Sequence, residues 1–311
     1  MFARNSNGLA AIASTLALAA CAPVPAPQTP DAFANLPDVP GERFAEACER
    51  FDAWDKPARP FQILGNTWYV GTCGIAAVLI TGEEGHVLID SGVEAAAPHV
   101  LASIRSLGFD PRDIRYLLMS HEHFDHVAGH AAIVAATGAT VVASPEAAPV
   151  LESGKLAADD PQALSGHPDF VPVDVGRIVR DGETVTLGDI ALTAHATPGH
   201  TAGAMSWTWN ACSLPGEPPV CRRIAYVDSL SAVSSDSYRF SDHPDWVATF
   251  RESIARVAAL PCDILVTPHP SSSSMIEKIR EGRFGVYGEC QDYAQRLGTN
   301  LDARLAKERG Q

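Results

Sequence analysis

The apolar run at the N-terminus, residues 9–20, is too short to serve as a membrane-spanning helix, which needs about 20 apolar residues. Basic residues are also scarce: 23 Lys and Arg against 37 Asp and Glu leave a net charge of −14. That balance repels a phosphate backbone, so nucleic acid is excluded as a partner. It does not exclude a small anion, which a local metal charge can hold inside an acidic protein. No Gly-x-Gly-x-x-Gly lies between a strand and a helix, which removes the dinucleotide fingerprint. No repeat of solenoid type is present. What remains is a globular composition, long enough at 311 residues to bury a large core in one or two domains.

The densest chemistry is His121–Glu122–His123–Phe124–Asp125–His126, three imidazoles and a carboxylate within six residues. Imidazole nitrogen and carboxylate oxygen are ligands that zinc accepts. The preceding run, 115–120, is short and mostly apolar, so it predicts a buried strand. The following run, 127–137, has the composition of a helix. The cluster therefore sits on a strand-to-helix loop, where α/β proteins place ligands. In an extended loop His121 and His123 project to one side, while Asp125 and His126 turn elsewhere, so one stretch can feed two ions. Glu122 is assigned no ligand role and is expected to be solvated or to stand behind the ligands. Phe124 is expected to pack beneath the loop.

The remaining strands follow the same logic. Short apolar runs at 61–64, 67–70, 75–81 and 86–90 are separated by Gly65–Asn66, Gly71–Thr72 and Glu83–Glu84–Gly85. Residues 95–107 have helical spacing, and Gly108 suits the position just past a helix end. Further strands are expected at 141–143, 183–187, 190–194, 204–209, 222–227 and 263–267, and helices at 246–260, 275–279 and 289–305. Residues 145–175 are broken by Pro161, Gly166, Pro168 and Pro172. Gln162 and His167 could face a substrate there, with exposed polar filler as the default reading. His200, in Thr197–Pro198–Gly199–His200, and His269, in Pro268–His269–Pro270, each follow a predicted strand, as His121 does. His130 and His195 are read as structural or as standing behind the ligands, His86, His99 and His243 as exposed, and Trp207 and Trp209 as core.

The N-terminus reads as a targeting segment, with Arg4 ahead of the apolar run. Leu18–Ala19–Ala20–Cys21 resembles a bacterial lipobox, in which the cysteine carries the lipid. The boundaries expected are a signal peptide at 1–20, a Pro-rich tether or flexible leader at 21–40, and one domain at 41–311. With Cys21 set aside, six cysteines remain, an even number that fits an oxidising compartment. Proximity along the chain suggests Cys48–Cys73, Cys212–Cys221 and Cys262–Cys290. Buried free thiols, or one thiolate on a metal, are the alternatives.

His-x-His-x-Asp-His at 121–126, Gly199–His200 and the late His269 together resemble the metallo-β-lactamase superfamily, across roughly residues 60–305. Asp228–Ser229–Leu230–Ser231 resembles subclass B3, as do Gly65–Asn66–Thr67–Trp68–Tyr69–Val70–Gly71, Ser206–Trp207–Thr208–Trp209, Thr267–Pro268–His269–Pro270 and the pair Cys262 and Cys290. The resemblance implies an α/β fold, a four-layered αββα sandwich. It implies two zinc ions per chain, one on His121, His123 and His200, the other on Asp125, His126 and His269. It further implies a zinc-held hydroxide that attacks the amide of penicillins, cephalosporins and carbapenems, conferring antibiotic resistance. Asp125 would bind metal and orient that nucleophile. Ser229 and Ser231 would meet the substrate carboxylate, and Asp90 would orient the metal loop from behind the ligands. Asp228 is placed outside the ligand set; in many non-lactamase relatives an aspartate near this point bridges the metals.

The expectation is thus a monomeric periplasmic β-lactamase, with a lipid on Cys21 attaching it to the inner or outer membrane. The enzyme rival is a metal-dependent lactonase or glyoxalase-like thioesterase of the same fold. The non-enzyme rival is a zinc-binding envelope lipoprotein that has lost the chemistry.

Overall fold

The computed structural model describes Met1 and residues 41–213, 220–285 and 289–310. Met1 apart, the expected signal peptide, the tether and Cys21 lie outside the described residues. No helix among the described residues is long and apolar enough to cross a membrane.

Among the described residues two sheets are built from strands that fall close to the predicted runs. The first holds β1 (Phe61–Leu64), β2 (Thr67–Tyr69), β3 (Val78–Gly82), β4 (Gly85–Ile89), β5 (Ile114–Leu118), β6 (Thr140–Ala143) and β7 (Val175–Ile178), side by side in chain order. Its first four strands pair antiparallel, and β4 to β7 pair parallel. The second holds β8 (Thr184–Leu187), β9 (Ile190–Ala196), β10 (Met205–Cys212), β11 (Cys221–Tyr226) and β12 (Ile264–Val266), in the order β12-β11-β10-β9-β8.

Alternation along the strands explains the layering. Val87 and Ile89 of β4 join Ile80, Trp207 and Tyr226 in a core between the sheets. Leu88, one residue out of phase, joins the opposite core with Leu79 and Leu117. There it meets Val100 and Ile104 of α2 (Ala97–Ser106) and Ile133 of α4 (His130–Thr137). On the far side, Ala225 and Leu265 meet Phe250 and Val257 of α6 (Pro244–Ala259), and Leu297 and Leu301 of α8 (Glu289–Arg309). The layers are helix, sheet, sheet, helix, and the remaining, shorter α-helices among the described residues are α1 (Glu42–Ala47), α3 (Phe124–Val127), α5 (Ala148–Ser153) and α7 (Met275–Arg280). Every residue of β4 is buried, as expected for a strand covered on both faces.

The helix expected over 127–137 is interrupted. Phe124–Val127 forms a first short turn and α4 starts at His130. Gly129 passes Ser91 so closely that a Cβ there would stand 2.8 Å from the Ser91 carbonyl oxygen. Strand β7 escaped the reading because it is half-exposed at a sheet edge and carries Gly176.

Three disulfides join Cys48–Cys73, Cys212–Cys221 and Cys262–Cys290. The last ties the entry of β12 to α8 across 28 residues. Opening it in a Cys262→Ala/Cys290→Ala variant is expected to cost about 2–3 kcal/mol, by release of loop entropy to the unfolded chain. A urea midpoint unchanged from the parent would show that this bond contributes nothing.

Candidate metal centre

Three loops meet at one edge of the sandwich. The first follows β5 and carries His121, His123, Asp125 and His126. The second follows β9 and carries His200. The third follows β12 and carries His269. Backbone bonds fasten the first and third to neighbouring segments. Met205 N donates to the Ser120 carbonyl at 2.7 Å, Ser91 N to that of His126 at 3.0 Å, and Ala76 N to that of Pro268 at 2.8 Å.

Two groups of donors result. His121, His123 and His200 offer ligand atoms that lie within 4.8 Å of one another, all buried. In the second group, Asp125 Oδ2 stands 3.0 Å from His126 Nε2 and 3.3 Å from His269 Nε2, and the two nitrogens are 3.3 Å apart. The rings of His121 and His126, one from each group, are 4.1 Å apart between centroids.

Each of four imidazoles has an oxygen behind it. His200 Nδ1 donates to the Ser231 carbonyl at 2.9 Å. His123 Nε2 donates to Asp160 Oδ2 at 3.2 Å. His121 Nδ1 lies 2.9 Å from Asp228 Oδ1, and His126 Nδ1 lies 3.5 Å from Asp90 Oδ2. The hydrogen bonds from His200 and His123 set the tautomer and leave the other nitrogen for a metal. The Asp228 and Asp90 contacts are close approaches without hydrogen-bond geometry, His126 Nδ1 and Asp228 Oδ1 having no hydrogen-bond partner among the described residues. His121 Nε2 is buried without a hydrogen-bond partner among the described residues. A buried orphan nitrogen facing other imidazoles fits a cation-binding role.

The electrostatics agree with such a role. Burial, and then the neighbouring imidazoles, hold His121 and His200 well below the ordinary histidine range, so both are neutral and free to donate a lone pair. Burial also works against charge on His126 and Asp125, but the two face each other. His126 is pushed up to about 10, and Asp125 is held well below the usual carboxylate range by His126 and His269. This group favours positive charge beside a carboxylate, which a divalent cation supplies. Imidazole with carboxylate and no thiolate is a donor set that zinc accepts.

Asp90 is fully buried. Its carboxylate accepts from Ser120 N at 2.6 Å, Ser120 Oγ at 2.7 Å and Tyr226 OH at 2.7 Å, which anchors the start of the first loop. Asp228 is buried too, and burial raises it to about 7. Besides backing His121, it accepts from Leu230 N at 3.1 Å and so shapes the Ser229–Leu230–Ser231 turn. Leu230 has a φ of 40°, a conformation non-glycine residues rarely adopt. The turn aims the Ser231 carbonyl at His200. Ser229 Oγ is buried and has no partner among the described residues.

Several expectations need correction. Of the two expectations for Glu122 the solvated one fails and the other holds: it is buried behind the ligands, and its carboxylate accepts from Thr201 Oγ1 at 2.7 Å and Gly203 N at 2.8 Å, tying the first loop to the second. Phe124 is not beneath its loop. It is half-exposed between the rings of Trp54 and His167, at 5.8 and 5.1 Å. Gln162 is buried, with Nε2 3.5 Å from His123 Nδ1, and His167 is half-buried. His86 is buried against Phe109, and His99 is half-buried, its Nε2 accepting from Ala58 N at 3.2 Å.

Asp160 and Trp54 were missed. Asp160 sits in Asp159–Asp160–Pro161, where nothing in the sequence picks one aspartate over the other. Trp54, 5.8 Å from the His269 ring, shares a mostly polar stretch with Phe51, and nothing in the sequence singles it out. A cavity of about 540 Å³ adjoins the centre and shares Glu122 and Asp160 as walls, but none of the six candidate ligands lines it.

Helix α6 supports the second loop. Trp246 Nε1 donates to the Gly199 carbonyl at 3.0 Å, and Ser253 Oγ to that of Pro198 at 2.6 Å. Gly199 has a φ of 150°, and a Cβ there would stand 2.7 Å from the Phe250 ring. Gly199→Ala is therefore expected to displace His200 and lower kcat/KM roughly 10- to 100-fold. Full activity with an undisturbed zinc content would show that the loop absorbs the methyl group elsewhere.

Residues 70–214 match the model of the metallo-β-lactamase superfamily. Among solved structures, the chain is 51% identical to the metallo-β-lactamase MIM-1 from Novosphingobium pentaromativorans, with a TM-score of 0.82, covering 86% of this chain and 98% of that one. It is 48% identical to the metallo-β-lactamase MIM-2, with a TM-score of 0.81 and the same coverage. It is 41% identical to MEM-A1, a subclass B3 metallo-β-lactamase from a soil metagenome library, with a TM-score of 0.78, covering 83% of this chain and 99% of that one. A hydroxyacylglutathione hydrolase of Methylobacterium sp. (strain 4-46) is 32% identical over 110 residues, 35% of each chain. The chain spans about a third to a half of the length of the curated relatives it matches.

Proposed function

This chain belongs to the metallo-β-lactamases, within subclass B3, and from that premise we propose that it hydrolyses the β-lactam amide of penicillins, cephalosporins and carbapenems with two zinc ions. The observation that carries the proposal is the pair of donor groups: three mutually facing histidines beside Asp125, His126 and His269.

His121, His123 and His200 would hold one ion, and Asp125, His126 and His269 the other. Three protein ligands per ion leave room for solvent and substrate. When bound, zinc polarises a carbonyl oxygen and lowers the pKa of its water from about 15.7 to about 7. The protein's part is to keep the six donors oriented before substrate arrives. Asp160, Ser231, Asp228 and Asp90 do this from behind the imidazoles. Trp54 and Phe124 present a half-exposed aromatic wall beside His269, suited to the apolar body of a bicyclic substrate. Ser229 offers an unpartnered hydroxyl for the substrate carboxylate, and Ser231 is already engaged with His200. Export to the periplasm as a monomer, with a lipid on Cys21, completes the proposal. The three disulfides support export, because they persist in an oxidising compartment.

The thioesterase reading draws on the hydroxyacylglutathione hydrolases. Against it, those matches cover a third to about half of each relative, and Asp228 stands behind His121 rather than facing the second donor group.

The test is hydrolysis of a penicillin, a carbapenem and a glutathione thioester by the purified protein. Lactam turnover lost on chelation and regained with zinc is the expected result. Thioester turnover without lactam turnover would replace this proposal with its rival.

A further inference from the structure

Among the three histidines of the first donor group, His123 alone rests on a charged side chain supplied by a connecting loop rather than by a strand end. Asp160 lies in the stretch between α5 (Ala148–Ser153) and β7, outside both sheets. Its side chain is as buried as that of His123, each 2% exposed. One oxygen, Oδ2, accepts from His123 Nε2 at 3.2 Å. The other, Oδ1, accepts from the backbone of Gln162 at 2.6 Å, which fixes the carboxylate's rotamer. With Nε2 committed, Nδ1 is the nitrogen of His123 left for a metal, its contact with the Gln162 amide being at 3.5 Å, the outer limit of a hydrogen bond.

The loop bearing Asp160 does not float. The Pro161 carbonyl accepts from Ser235 N at 2.9 Å. Ser235 follows the turn whose Ser231 carbonyl holds His200. Two ligands of one donor group are thus gripped from behind by two loops, and those loops are bonded to each other. The second donor group has no such dependence. His126 Nδ1 lies 3.5 Å from Asp90 at the end of β4 without a hydrogen bond, and His269 stands just past β12.

We propose that Asp160 is a positioning residue for His123, and that it sets the zinc affinity of the His121/His123/His200 site without affecting the Asp125/His126/His269 site. The inference rests on the two-site reading above. The physical ground is that a carboxylate on the remote nitrogen of a ligating imidazole raises its basicity and fixes its orientation, an effect usually amounting to 10- to 100-fold in metal affinity.

The experiment uses zinc itself, titrated against a chromophoric chelator, in backgrounds that isolate each site. In His269→Ala, which leaves the three-histidine site intact, adding Asp160→Ala is expected to weaken zinc binding 10- to 100-fold. Asp160→Asn, which keeps an acceptor oxygen toward Nε2, is expected to recover affinity to within a few-fold of Asp160. In His200→Ala, which leaves the other site, Asp160→Ala is expected to change nothing. Equal weakening in both backgrounds would make Asp160 a general structural residue, as would a lowered melting temperature with zinc affinity unchanged; either result overturns the proposal. Failure of the parent protein to bind two zinc ions would overturn the two-site reading instead, and this inference with it. Since the readout is zinc affinity, failure of lactam hydrolysis alone leaves the inference standing on its own result.

Discussion

Alanine at Asp125 is expected to lower kcat/KM for a penicillin or carbapenem about 10³-fold, a loss of roughly 4 kcal/mol in transition-state stabilisation. Asp125 is the one carboxylate among the six candidate ligands, and it is only 5% exposed. Its Oδ2 is the atom on which His126 and His269 converge, at 3.0 and 3.3 Å. Without it, two imidazoles must hold a divalent cation in a buried site with no compensating charge, and removing such a partner is costly. Zinc content is expected to fall from two equivalents to one. Asp125→Asn keeps the shape and loses the charge, so it should be nearly as damaging. If Asp125→Ala retained a tenth of the parent's kcat/KM with two zinc equivalents, Asp125 would be neither a ligand nor important for catalysis.

The second large effect is on stability. Asp90→Ala is expected to cost about 4 kcal/mol, because each buried donor left unsatisfied costs about 1–3 kcal/mol. Three donors lose their bond to it together: Ser120 N, Ser120 Oγ and Tyr226 OH, the last two keeping only longer contacts, 3.2 Å to His121 Nδ1 and 3.4 Å to the Ala76 carbonyl. Alanine also inherits a φ of 61°, which aspartate and asparagine tolerate better. Tyr226→Phe removes only one of the three bonds and is expected to cost about 1 kcal/mol. Denaturant unfolding in the presence of a chelator is the right measurement, because bound zinc would add its own stabilisation to every variant. A cost below that of Tyr226→Phe would mean that Asp90 is not what anchors the loop.

Chemistry is legible in a sequence when the residue types themselves are rare and specific. His121, His123, Asp125 and His126 announce a metal site by type and spacing alone. His200 and His269 could be added because each closes an apolar strand, and strand ends in one sandwich meet at one edge. The unbroken apolar run Val87, Leu88 and Ile89 likewise marks a strand, while its cover on both faces is known from the structure. The groups behind the metal could not be read this way. Glu122, Asp160 and the Ser231 carbonyl are ordinary in type, and each acquires its role from a partner 79, 37 or 31 residues away. Hydrogen-bonding groups of this kind recur throughout any chain. Only the folding of distant loops onto one another selects the few that are buried, paired and aimed at an imidazole. The sequence alone therefore determined which atoms could bind the metal, while tertiary structure decided what holds them in place.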